Sequence, residues 1–171
     1  YLQALDIYIE LDSETDIANL HSLAGSVCKT LGNYDKAIEH CHASLRIYEK
    51  LNNKNGIAYI YRVLGSVYKY KGDYDKSLHY YFNGLGLNEE QGNRGGMANA
   101  YNNIGIVYLL MRDIEQALDY YRKSLEINLA EGIGAEASIN YGNIGVAYLE
   151  LGMMDSAMKY ISKRHSLALQ M

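Results

Sequence analysis

Apolar and small residues recur along this chain with two periods at once. The short period is helical, three or four residues. The long one is 40 residues, marked by Gly25, Gly65, Gly105 and Gly145. The clearest copy begins at Tyr101, with Ile104, Gly105 and Tyr108, and continues through Ala117, Tyr120, Tyr121 and Leu125. Each period holds two amphipathic helical stretches joined by short polar linkers, and nothing reads as a strand. A lone helix pair cannot bury its apolar face. Stacked pairs can, so the pattern predicts an all-α helical solenoid.

Taken in order, residues 1–11 place Leu5, Tyr8 and Leu11 on one helical face. They align with Leu45, Tyr48 and Leu51, as the second helix of a repeat whose first helix is missing. Ser13 reads as an N-cap with Asp16 three residues on, opening a helix to about Leu31 that Gly32 ends. Asn33 reads as the next cap, before a helix carrying Ala37, Cys41, Leu45 and Tyr48. The linker 52–56 then precedes helices at about 57–71 and 74–90, divided at Gly72-Asp73. Linker 91–96, the most flexible by composition, precedes helices at about 97–111 and 114–130, with Asp113 as the cap between them. Gly132-Ile133-Gly134 leads to helices at about 135–151 and 154–169. The expected repeats are therefore 12–51, 52–91, 92–131 and 132–171 of one solenoid.

Composition narrows the picture. Of 171 residues, 18 are Tyr, one is Phe, and none is Trp or Pro. The lack of Pro suits helices joined by Gly and Asn. Two cysteines are too few for a disulfide framework. A formal net charge of -4 argues against a nucleic-acid binder, which needs many Lys and Arg contacts to phosphate. No apolar run is long enough for a membrane span. The chain begins at Tyr1 in mid-pattern and reads as a segment of a longer protein. Cytoplasm is the favoured compartment, with any targeting signal outside the sequence.

The recurring residues resemble the tetratricopeptide repeat. Its first helix carries an aromatic, then Leu-Gly, then Tyr; its second carries Gly-x-Tyr, Ala, an aromatic and a small residue. Here these are Tyr61, Leu64-Gly65, Tyr68, Gly72, Tyr74, Ser77, Tyr81 and Gly84. The next copy gives Tyr101, Ile104-Gly105, Tyr108, Ala117, Tyr121 and Ser124; the last gives Tyr141, Ile144-Gly145, Tyr148, Gly152, Ala157 and Ile161. Two departures stand out: the Pro closing the second helix is absent, and the period exceeds the usual roughly 34 residues. Such long repeats are similar to those of cell-polarity scaffolds, kinesin light chains and bacterial signalling proteins. The resemblance implies an α-α superhelix, a right-handed solenoid of antiparallel helix pairs. It also implies a non-catalytic module that binds an extended peptide or protein on its concave face.

In such a stack the first helix of each pair lines that face. Residues not spent on the core fall there in steps of three or four: Asn19, Ser22, Ser26 and Lys29; Tyr59, Arg62, Ser66 and Lys69; Asn99, Asn102, Asn103 and Ile106; Ile139, Asn143 and Val146. An amide both donates and accepts, and in the long-repeat relatives an Asn at the place of Asn103 and Asn143 holds a peptide backbone. The competing reading has each Asn satisfying a neighbouring helix. Lys29, Arg62 and Lys69 lean toward acidic ligands. The Lys and Arg of the chaperone-tail clamp fall instead on Ser22, Asn99 and Asn103, so no chaperone binding is expected.

The first repeat is the odd one. His21, Cys28 and Cys41 hold the slots of Tyr61, Tyr68 and Tyr81, with His40 and His42 beside them. A metal site is the sharp reading and packing variation the plain one. His40 and His42 are about 200° apart on a helix, so they do not share an ion, and no metal or cofactor is expected. The plain reading predicts that Tyr1 or Tyr8 fills the lost aromatic volume, or that a small cavity appears. No nucleophile–base–orienter set is visible, and the Gly92–Gly96 stretch lacks the Lys-Ser or Lys-Thr of a phosphate loop. The chain does not read as an enzyme. The second functional reading is architectural, with the solenoid spacing domains or self-associating through its ends.

Overall fold

The computed structural model describes residues 13–169, and the expectations about Tyr1, Tyr8 and the helix over 1–11 lie outside them. Eight helices fall within the described residues: α1 (Glu14–Thr30), α2 (Tyr34–Lys50), α3 (Lys54–Lys71), α4 (Tyr74–Glu90), α5 (Arg94–Leu110), α6 (Ile114–Ala130), α7 (Gly134–Glu150) and α8 (Met154–Ala168). They form two compact units, one up to Leu87 and one from Asn88 onward. Among the described residues no helix is long and apolar enough to cross a membrane.

Local chemistry sets the helix ends. Ser13 and Asp113 cap as the sequence predicts, accepting from the backbone N–H of Asp16 and Gln116. Asn33 occupies the N-cap of α2 without a side-chain capping bond. The larger correction concerns the two linkers read as loops to residues 56 and 96. Asn53 and Asn93 cap there, accepting from the N–H of Gly56 and Gly96, so α3 and α5 start about three residues early. Gly56 and Gly96 thus belong to first turns. Their lack of a Cβ answers to packing: one there would strike the Tyr48 ring or the Asn88 side chain. At the break between α5 and α6 no glycine is present, and Arg112 itself takes the left-handed conformation at φ 67°.

Each helix pair closes on its periodic glycine. A Cβ on Gly65 would lie 2.7 Å from the Tyr81 ring, and one on Gly105 would lie 2.7 Å from the Tyr121 ring. One on Gly25 would lie 2.8 Å from Cys41 Sγ, and one on Gly145 2.9 Å from Ile161. The partner is always 16 residues on. A second contact fixes the direction: Ser44 donates to the Ala18 carbonyl at 2.7 Å, and Ser124 to that of Ala98 at 2.7 Å. Residue 44 meets 18 while 41 meets 25, which is antiparallel pairing.

Around this closure sit tyrosine triplets. Tyr80 stacks on Tyr68 and tilts against Tyr61. Tyr120 does the same with Tyr108 and Tyr101, and Tyr160 with Tyr148 and Tyr141. Offset ring pairs at 5.5–6.2 Å between centroids add to area burial. In the first pair these slots hold Cys28, His21 and His40. The sequence reading grouped His21 and Cys28 with Cys41. The structure pairs His21 with His40 instead, Nδ1 to Nδ1 at 3.0 Å. Cys41 lies apart in the apolar core, fully buried with Ala18, Ala37, Leu45 and Tyr48. Among the described residues no three His, Cys, Asp or Glu side chains come together as a metal set.

The two thiols should therefore differ sharply. Burial pushes the Cys41 thiol up to about 12, while Cys28 is only half-buried. Titration of the native chain with a chromogenic disulfide should show one fast thiol, absent after Cys28→Ser. The second should react at the rate of unfolding, because the attacking species is the thiolate.

Candidate ligand-binding surface

The first helices of the pairs carry the polar stripes expected from the sequence, and each unit is described by itself. In the first unit Asn19 is exposed and accepts a hydrogen bond from the Tyr48 hydroxyl at 2.7 Å. Ser22 is a correction: at 7% exposure it is buried, because the Tyr48 side chain folds over it, and it is withdrawn from any ligand. On α3, Arg62 lies over the Tyr59 ring at 4.7 Å and Lys69 over the Tyr70 ring at 4.9 Å. Ser26, Lys29 and Ser66 are partly exposed. In the same unit, burial, then His40 and Arg46, hold His21 below the ordinary histidine value.

The second unit has a cleft of about 230 Å³ between α5, α6 and α7, lined by Asn99, Asn102, Ser124, Asn128, Glu136, Ile139 and Asn140 with Gly95, Ala98 and Ile133. Its walls are tied by amides. Asn128 donates to Asn140 Oδ1 at 2.7 Å. Asn140 donates to Asn102 Oδ1 at 3.1 Å and to Ser124 Oγ at 3.0 Å. Asn143 donates to the same Asn102 oxygen at 2.8 Å. With its oxygen twice engaged, Asn102 has both side-chain N–H groups unspent among the described residues, and Asn143 its side-chain oxygen. Asn103 turns back along its own helix, donating to the Asn99 carbonyl and side chain at 2.9 Å. Ile106 is half-buried, whereas Ile139 and Val146 are 55% and 47% exposed.

Why the second unit has this cleft is legible in the repeat register. Position 128 corresponds to 48, where the first unit carries Tyr48 with its ring against Gly56. In the second unit Asn128 replaces that ring and Glu136 replaces that glycine. The lost aromatic volume becomes the cleft. Asn140 falls where Ile60 and Ala100 stand, and it is 1% exposed. Asn128, Asn140, Ser124 and Glu136 were missed as site residues. The sequence carried a signal for one of them, Asn140, whose slot holds Leu20, Ile60 and Ala100 in the other repeats; the slots of Asn128, Ser124 and Glu136 hold Asn88, Ser44 and Asp16 elsewhere and gave none.

Comparison with known proteins assigns the class. The sequence profile of the tetratricopeptide repeat matches residues 16–81 and 96–170. The chain therefore belongs to the tetratricopeptide repeat family, an all-α superhelical fold class whose members serve as protein-interaction modules. No curated protein sequence matches it. Among solved structures it is similar to BtubC from P. vanneervenii: TM-score 0.87 and 22% identity over 99% of this chain and 71% of that one. It is similar to aspartyl phosphate phosphatase F from Bacillus subtilis: TM-score 0.93 and 14% identity over 98% of this chain and 44% of that one. A third is a signal transduction ATPase with numerous domains and a tetratricopeptide repeat sensor from Pyrococcus horikoshii. There the TM-score is 0.88 and identity 21%, over 98% of this chain and 26% of that one. At these identities the likeness is one of fold.

Proposed function

We propose that the chain is a non-catalytic module that binds a peptide segment along the first-helix faces, and that the cleft between α5, α6 and α7 is its anchoring point. The observation that carries this reading is the set of unspent polar atoms over an apolar patch. The Asn102 N–H groups and the Asn143 oxygen match the donors and acceptors of an extended backbone. Ile133 and Ile139 give one side chain of that peptide an apolar seat. Asn99 and Asn103 form the rim. We read the chain as a regulatory or sensor part of a larger signalling protein. The repeat sensor of the Pyrococcus horikoshii ATPase, which forms part of a longer chain, supports that.

A displayed library of random peptides tests the reading. Selected binders should lose at least tenfold in affinity for Ile139→Arg, which places a cation over the cleft without touching the amide network. Met158→Arg, at an exposed position of α8, should leave binding unchanged. A library that yields no binder, or binders indifferent to Ile139→Arg, would sink the proposal.

A further inference from the structure

We propose that the first unit carries a separate site for an anionic side chain, a carboxylate or phosphate on a bound peptide, formed by Lys29, Arg62, Ser66, Lys69 and the hydroxyl of Tyr81. The inference rests on the reading that first-helix faces bind peptide, and it names the chemistry that this unit recognises.

Two independent observations carry it. The first is a set of cations without anions. Three other cations of the unit have carboxylate partners: Lys50 pairs with Glu14, Lys71 with Asp35 and Lys76 with Asp73, whereas Lys36 and Arg46 lie outside the first-helix faces, on α2. Among the described residues Lys29, Arg62 and Lys69 make no ion pair. What they have instead is aromatic support, with the Tyr59 and Tyr70 rings beneath Arg62 and Lys69. A ring face holds a cation in place but leaves its outward N–H groups unsatisfied. Lys69 is also poorly placed for a free ammonium. Burial lowers its pKa, the nearby Lys29 lowers it further, and no carboxylate acts the other way. Desolvating one cation beside another costs stability unless an anion completes the site.

The second observation is an orphan. Tyr81 is 2% exposed, and its hydroxyl is the one buried side-chain polar atom among the described residues with no hydrogen-bond partner. Its ring is fixed on Gly65, so the hydroxyl cannot swing away. Burial raises the Tyr81 pKa, while Ser66, at the margin of hydrogen-bond reach, and the charge of Arg62 lower it; no group meets the hydroxyl in full hydrogen-bond geometry. A buried phenol left unpaired is costly. An incoming oxyanion would accept from Tyr81 and Ser66 while facing Arg62 and Lys69. Charge-assisted bonds of this kind are the stronger class.

Fluorescence anisotropy with labelled hexaglutamate, hexaglutamine and a phosphoserine-containing peptide of matched length tests this. Hexaglutamate should bind at least tenfold more tightly than hexaglutamine. Lys69→Gln and Arg62→Gln should each weaken it about fivefold, and Tyr81→Phe about threefold. Lys69→Gln should at the same time raise the melting temperature, since it removes a repelled cation; that readout separates a binding role from a structural one. Tighter binding of the phosphoserine peptide assigns the site to phosphate, and equal or weaker binding assigns it to carboxylate. Equal affinity for hexaglutamate and hexaglutamine, or hexaglutamate binding unmoved by all three substitutions, overturns the inference. Such a failure with library peptides still sensitive to Ile139→Arg would leave the cleft reading intact. Loss of the library binders' response would instead fault the cleft reading.

Discussion

Gly105→Ala should destabilise the chain by about 3 kcal/mol or more, an overpacking cost at the upper end of its usual range. The added methyl would lie 2.7 Å from two carbons of the Tyr121 ring and 3.2 Å from the Ala117 carbonyl oxygen. Neither neighbour has room to yield. Tyr121 is 1% exposed and wedged within the apolar core of Leu118, Leu125 and Ile144. The carbonyl belongs to the helix backbone. Relief thus requires α5 and α6 to separate, which forfeits the Ser124–Ala98 bond as well. A single domain has only about 5–15 kcal/mol to lose. Urea unfolding followed by far-ultraviolet circular dichroism measures the shift. Gly86→Ala is the matched control. It lies within α4, a Cβ there meets nothing within 4 Å, and it should stabilise by up to about 1 kcal/mol through helix propensity alone. Equal effects at both glycines would refute the close-approach account.

Asn140→Leu should cost about 2–3 kcal/mol despite conserving volume. It removes the acceptor for Asn128 and the donor to Asn102 and Ser124, leaving buried polar groups unpaired. Replacing Asn128 by Leu alone should be similarly damaging. Replacing both should recover much of the loss, because two apolar side chains no longer strand each other's partners. A double-mutant cycle on urea midpoints should therefore return a coupling of about 1–2 kcal/mol. The double variant should also have lost the cleft's peptide affinity. Additive single effects would show that the amides do not act as one network.

What the sequence disclosed follows from what repeats. The glycine at every fortieth position and its neighbouring aromatic are imposed by helix closure, and closure recurs in each pair. Hence the fold, the pairing and the Asp113 cap were readable. The start of α3 and α5 was not, because Gly56 and Gly96 look like linker glycines until the Tyr48 ring and the Asn88 side chain are seen against them. Tyr81 could be placed in the core from its spacing, yet the triplet partner proved to be Tyr80, one residue earlier. Spacing along one helix cannot say which of two adjacent rings reaches the facing helix. Ser22 lay on the right face and was still lost, since burial there is decided by Tyr48 from another helix. The amide at 140 departs from the repeat, and the one at 128 is shared only with Asn88. Their chemistry arises only where α6 and α7 bring them within hydrogen-bond distance.

The absence of a tyrosine triplet from the first helix pair has a practical consequence. The chain contains no tryptophan, so its near-ultraviolet circular dichroism comes chiefly from tyrosines, and the three triplets belong to the second, third and fourth pairs. The first pair contributes only Tyr48 and Tyr34, the latter stacked on Tyr70 of α3, and it holds Cys41 at its closure. Ring ellipticity is therefore weighted toward the later repeats, while labelling of Cys41 watches the first. In a linear array whose stability is set by nearest neighbours, coincident midpoints for the two signals mean one cooperative transition. Separated midpoints mean that the array melts from its first pair, and their spacing measures the coupling between adjacent repeats.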